Sequence, residues 1–154
     1  MELRDATSDD LNITYKWANH PETRKFSFRQ EFISLENHSK WFNAKLADEK
    51  CIYKILEIDN SPVGSIRLDI QNEVATISYL VSPEYTGRGF GKKIMELAII
   101  AVLKENLKIE SVRGLVKKEN VASIKIFESF QFERNEMKEG ILEFKKKIEH
   151  ADWK

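Results

Sequence analysis

The chain has 154 residues, 25 basic and 25 acidic side chains, three histidines and one cysteine, and 42% of its residues are hydrophobic. At about 150 residues per domain, this length implies one domain, able to bury a core without disulfide or metal staples. Zero net charge excludes a bulk nucleic-acid binder, the lone Cys51 excludes an internal disulfide or Cys-rich zinc site, and no apolar run of about 18 residues is present to span a membrane.

In chain order, Leu3 to Ala6 reads as a short strand, and Ser8 as the N-cap of a helix over residues 9–18, with Asp9 and Asp10 in its favourable first turn. Asn19-His20-Pro21 breaks that helix, because proline restricts the residue before it. Glu22 to Ile33 is expected to be a loop, rich in cations and aromatics (Arg24, Phe26, Phe28, Arg29). Ser34 caps a second helix over about 35–47, with Leu35, His38, Trp41, Phe42, Lys45 and Leu46 as its stripe. Residues 51–58, 63–71 and 74–81 carry β-branched and aromatic side chains at strand spacing and form an antiparallel meander, turning at Asp59-Asn60-Ser61-Pro62 and at Asn72-Glu73. A glycine-dense stretch from Pro83 to Gly91 leads into a long helix starting near Lys92. Ser111 to Val116 reads as a strand, Asn120 starts another helix, and 132–138 with 141–148 form a hairpin around Glu139-Gly140. The expectation is an α+β or mixed α/β domain over residues 1–150, with about seven strands and four helices, followed by a tail over 151–154.

The strongest chemical feature is Tyr85-Thr86-Gly87-Arg88-Gly89-Phe90-Gly91-Lys92-Lys93. Glycines let the backbone turn its N–H groups toward one spot, and the helix behind adds unpaired N–H groups and the positive end of its dipole. Arg88, Lys92 and Lys93 add cations with no acid between them, which makes a cradle for pyrophosphate. It is not a Walker A loop, since Lys93 rather than Ser or Thr follows Lys92, and it is not the dinucleotide fingerprint, since it follows an antiparallel meander. The alternative is a turn that only joins a strand to a helix.

In these residues the sequence resembles the GNAT superfamily, the Gcn5-related N-acetyltransferases. The stretch Leu80 to Gly91 matches the family's strand, Arg/Gln-x-x-Gly-x-Gly/Ala and helix, with Thr86 at the usual Arg/Gln position. Asn120-x-x-Ser123-x-x-x-Phe127-x-x-x-Gln131-Phe132 matches a second signature, with Gln131 in place of glycine. The resemblance implies a mainly antiparallel central sheet, acetyl-CoA as donor and a primary amine as acceptor. It also implies pyrophosphate on residues 87–92, pantetheine along Leu80, Val81 and Ser82, and coenzyme contacts from Asn120, Ser123 and Phe127. Family chemistry is direct attack of a neutral amine, with an oxyanion donor, for which the Val81 N–H is expected. Many members carry a Glu base on the fourth strand and a Tyr proton donor at the Phe127 position. Here Val74 to Tyr79 contains no acid and Phe127 has no proton to give. His38 is the alternative base, with Ser78 and Tyr79 as hydrogen-bonding helpers; equally, His38 is a packing residue beside Trp41 and Phe42.

A further set, Trp17 to Phe28, Ile33, His38-x-x-Trp41-Phe42 and Gly64-x-Ile66-Arg67-x-Asp69, is similar to the subgroup that acetylates nucleotide-linked amino sugars in pseudaminic-acid-type synthesis. Asn19, Arg24, Phe28, Trp41 and Arg67 are then the expected acceptor residues, with arginines for diphosphate and aromatics for a base or sugar face. Other acceptors in keeping with the family are protein N-termini and amino acids, and a coenzyme-binding module without turnover is the alternative outside catalysis. The expected protein is cytoplasmic and metal-free, a monomer or homodimer, without nucleic-acid or membrane partners, and its polar start MELRDATSDD is not expected to be a signal peptide.

Overall fold

The first strand, β1 (Glu2–Asp5), leads into a single 3-10 turn at Ser8–Asp10. The cap of this turn is Thr7, not Ser8: its side chain accepts from Asp9 N–H while the Asp10 carboxylate reaches back to the Thr7 N–H. Arg4 holds the same carboxylate with two bonds of 2.8 Å each. Helix α1 (Leu11–Asn19) follows, and then α2 (Pro21–Lys25), where a loop is expected from the sequence. Pro21 stops α1 but starts α2, because a proline at the first helical position loses no bond it would otherwise make. His20 stays extended before it, and its Nδ1 accepts from the Glu22 N–H at 3.2 Å. Helix α3 (Leu35–Ala47) is capped by Ser34, as its sequence pattern implies.

Three antiparallel strands come next: β2 (Cys51–Ile58), β3 (Ser61–Gln71) and β4 (Val74–Val81). Their turns contain only two residues, with φ of 51° and 64° at Asp59-Asn60 and 50° and 65° at Asn72-Glu73, the geometry that matches strand twist. Helix α4 (Phe90–Glu105), β5 (Ser111–Lys117), α5 (Val121–Ser129), β6 (Glu133–Glu136) and β7 (Ile141–Lys147) complete the order. The computed structural model describes residues 1–105 and 108–148, so the expected tail over 151–154 lies outside the described residues.

All seven strands form one mixed sheet, ordered β1-β2-β3-β4-β5-β7-β6. Only β4 and β5 are parallel, and they pair over four residues, from Val74↔Ser111 to Ile77↔Gly114. Beyond Ile77 the two strands part, so residues 78–81 keep β3 on one side and lose β5 on the other. Among the described residues five α-helices flank the sheet where about four are expected, α2 being the addition. On one face α4 and α5 cover Leu56, Ile66, Leu68, Ala75, Ile77 and Val112, with Ile94, Met95, Ala98, Ile99 and Phe127 from the helices. Across the opposite face, α1 and α3 bury Trp17, Phe42 and Ile55 around Tyr53. Among the described residues no helix is long and apolar enough to cross a membrane.

Candidate functional site

The parting of β4 from β5 exposes backbone. Gln71 and Val74 flank a two-residue turn and so form a hydrogen-bonded pair, and the ladder repeats this every second residue through Leu80↔Ser65. The Ser82 N–H continues it, donating to the Val63 carbonyl at 2.8 Å. By alternation, Tyr79 and Val81 aim their N–H and C=O groups away from β3, into the gap. This suits the expected oxyanion role of the Val81 N–H. Ser82 is buried and its N–H is occupied, so of the three expected pantetheine residues Val81 has the open backbone.

At the mouth of the gap lies the glycine loop. Pro83–Tyr85 forms a 3-10 turn closed by the Thr86 hydroxyl, which donates to the Pro83 carbonyl. Gly87 and Gly89 have φ of +80° and +82°, where a side chain is strained. Lys93 N–H bonds back to Gly89 O, so the helix starts at Phe90, two residues before the expected Lys92. Among the described residues, no acceptor meets the N–H groups from Thr86 to Lys92. Arg88 lies over the Tyr85 ring and Lys92 is exposed, whereas Lys93 pairs with Glu96 at 3.6 Å. Gly91 sits tight: a Cβ there would meet Ile126 Cδ1 at 2.9 Å and Tyr79 Cε2 at 3.4 Å.

Helix α5 brings its first turn to the same gap. Asn120 Oδ1 accepts from the Ser123 N–H, and Ser123 Oγ accepts from the Tyr79 hydroxyl at 2.8 Å. Burial pushes the Tyr79 hydroxyl pKa up, with Ser123 opposing the shift, so it stays protonated. Tyr79 is a finding here, weighted lightly from sequence because its partner is 44 residues away. Phe127 is buried below the gap, its ring 6.4 Å from that of Tyr79. Its ring lies flat on Phe144 at 5.0 Å and fills the space over Gly114, which makes it a core residue.

On the α3 face of the gap stand Ser78, Arg67 and Trp41. The Arg67 guanidinium lies 4.8 Å from the Trp41 ring centroid, donates to Ser78 Oγ at 3.3 Å, and pairs with Asp69 at 2.8 Å. Lys45 takes the other oxygen of Asp69 at 2.8 Å. Burial alone would raise the Asp69 carboxyl pKa, but Lys45 and Arg67 hold it below the usual value.

His38 is 3% exposed, with its Nε2 3.1 Å from the Thr14 hydroxyl and its ring stacked on Phe42. Thr14 Oγ1 donates to the Asp10 carbonyl, so His38 donates to Thr14 in turn. Burial lowers the His38 pKa, and the ring is neutral at pH 7. This geometry favours the packing alternative for His38. Asn19 likewise uses both ends of its amide on Ile33, accepting from its N–H at 2.8 Å and donating to its carbonyl at 2.9 Å. It pins the segment before α3, with one N–H and one oxygen lone pair of the amide left over. Arg24 differs: its Nε is buried and meets no acceptor among the described residues, and burial lowers its pKa. Phe28 is 53% exposed and Phe32 76% exposed on that segment.

A family model described as "Acetyltransferase (GNAT) domain" matches residues 1–133. The acetyltransferase PseH of Campylobacter jejuni subsp. jejuni serotype O:23/36 is 25% identical over 126 residues, covering 81% of this chain and 78% of that protein. Spermidine N(1)-acetyltransferase of Escherichia coli K12 is 23% identical over 135 residues, covering 86% of this chain and 72% of that protein. Among solved structures, spermidine N-acetyltransferase from Vibrio cholerae in complex with CoA and spermine superposes with a TM-score of 0.85 at 16% identity, covering 95% of this chain and 94% of that one.

Proposed function

We propose, on the premise that this chain belongs to the GNAT acetyltransferase family and is an acetyl-CoA-dependent N-acetyltransferase, that its acceptor is the amino group of a nucleotide-linked amino sugar. The donor fits the residues present. The unpaired N–H groups of Gly87 to Lys92, with Arg88 and Lys92 beside them, suit a pyrophosphate, and the open backbone of Tyr79 and Val81 suits an amide-bearing pantetheine arm. When bound, acetyl-CoA supplies a thioester carbonyl for the amine to attack. The Val81 N–H, turned away from β3 into the gap, would be the donor for the charge that develops on the oxygen of that carbonyl. Ser78, Arg67 and Trp41 line the opposite side of the gap, where the acceptor enters.

The observation that carries the acceptor class is Arg24. A buried guanidinium nitrogen without an acceptor is costly, and an incoming phosphate or carboxylate relieves that cost. A line of contacts leads from it into the gap: Arg24 to the Glu31 carbonyl, Phe32 to Tyr15, Tyr15 to His38, His38 to Trp41, and Trp41 to Arg67. Polyamines want acids, and the one carboxylate in the Arg67 cluster, Asp69, is already held by two cations. The PseH relative supports the same reading by its name in the subgroup resemblance.

Thiol release from acetyl-CoA tests this with UDP-linked amino sugars, spermidine and an N-terminal alanine peptide as acceptors. The expected result is a kcat/KM for one of the sugars at least about tenfold above the others, and Arg24→Ala raising its KM with coenzyme affinity unchanged. Preference for spermidine or the peptide overturns the reading.

A further inference from the structure

The attacking nitrogen must be neutral, yet among the described residues none lining the gap is placed to act as its base. The groups facing Arg67 come from four elements: His38, Trp41 and Lys45 on α3, Cys51 and Tyr53 on β2, Asp69 on its own strand, and Ser78 on β4. Their charges at pH 7 are countable. His38 is neutral; burial and the charge of Asp69 hold the Cys51 thiol up at about 11, and burial holds the Tyr53 hydroxyl at about 12. Asp69 is ionised, and Lys45 and Arg67 are cations sharing it. One carboxylate between two cations leaves the wall with one positive charge in excess. Arg67 delivers that charge to the gap, since its NH2 group bonds Ser78, the first β4 residue past the last pairing with β5.

We propose that Arg67 takes the place of a general base by electrostatics: its fixed charge beside Ser78 disfavours the ammonium form of the acceptor, so the amine sheds its proton to water and attacks as the free base. This rests on the reading that the acceptor enters from the α3 face. The N–H bond of the ammonium breaks, its electron pair stays on nitrogen, and the proton passes to solvent. Like charges disfavour each other's ionised forms, so an ammonium near Arg67 loses its proton at lower pH than in water. Each unit of that shift gives about ten times more neutral amine at a pH below its pKa. Trp41 stacking and the Asp69 bond hold the guanidinium in one place, so Arg67 acts by being fixed, with no proton of its own to exchange.

A reporter thiol reads the field without any acceptor. Ser78→Cys changes one atom, and a positive neighbour lowers a thiol's pKa just as it lowers an ammonium's. Iodoacetamide labelling of position 78, followed against pH by peptide mass, is expected to show a midpoint that rises by about one unit when Arg67→Gln is added and falls back with Arg67→Lys. The pH profile of kcat at saturating UDP-glucosamine, with Ser78 intact, reads the same field on the bound amine: Arg67→Gln moves its acidic limb up by about one unit. A position-78 midpoint or an acidic limb indifferent to Arg67 overturns the proposal. Failure of the acceptor reading looks different: UDP-glucosamine and other UDP-linked amino sugars turn over no better than spermidine, while the position-78 thiol still responds to Arg67.

Discussion

Tertiary contacts decide what His38 and Asn19 do. Both are polar residues at helical positions that suit ligands, and both make tertiary contacts, His38 with Thr14 and Asn19 with Ile33. Neither partner is visible in a local pattern, which is why their residue types alone suggest chemistry. The His38 pKa carries a consequence for stability. Its folded value lies below the ordinary 6.5 because burial penalises the charged ring, so the unfolded chain binds the proton more readily. The contribution is therefore fully present above about pH 6.5 and is lost as pH falls below it. Melting temperatures between pH 7.5 and 5.5 should drop for the native chain and drop less for His38→Gln; equal slopes would show that His38 titrates as if exposed. For Phe127 the signature fixes its register on α5, while the ring's surroundings come from β4, β5 and β7.

Among elements, those set by neighbours in sequence were readable and those set by distant ones were not. Ser34 and α3, the turns at 59–60 and 72–73, and the glycine loop before α4 all follow from capping and turn chemistry. Helix α2 was missed because Pro21 both ends one helix and begins the next. Short β6, with the charged and exposed sequence Glu133-Arg134-Asn135-Glu136, is a poor template for pairing with a further strand. The glycine loop gives a controlled test. Gly89 and Gly140 have φ of +82° and +71°, and neither has a neighbour within 4 Å of a built Cβ. An Asp at either costs about 1 kcal/mol or more in backbone strain. Only Gly89→Asp should raise the coenzyme A Kd, by at least about tenfold in calorimetry, since it alone sets a carboxylate among the N–H groups proposed to bind the phosphates. Equal affinities for the two variants would move the phosphates off this loop.

At the scale of the whole molecule, the feature that matters is the gap between β4 and β5. The alternation of strands predicts an α+β fold, but the parallel seam of four residue pairs, and the side of it left open, depend on strands far apart in the chain. Hydrogen exchange gives the seam a reading. The amides of Tyr79 and Val81 should exchange fast in the free protein and slow when coenzyme A is bound, with Leu80 protected in both states by its bond to β3. Protection of Tyr79 and Val81 without coenzyme would close the gap and remove the oxyanion donor. The same seam orders synthesis on the ribosome. Strands β1 to β4 meet through short turns and can pair as they emerge, but the outer edge of β4 has no partner until residues 111–114 follow α4 out of the exit tunnel. For that interval the nascent chain exposes one open strand edge, and it is the edge proposed to seat the donor in the finished enzyme.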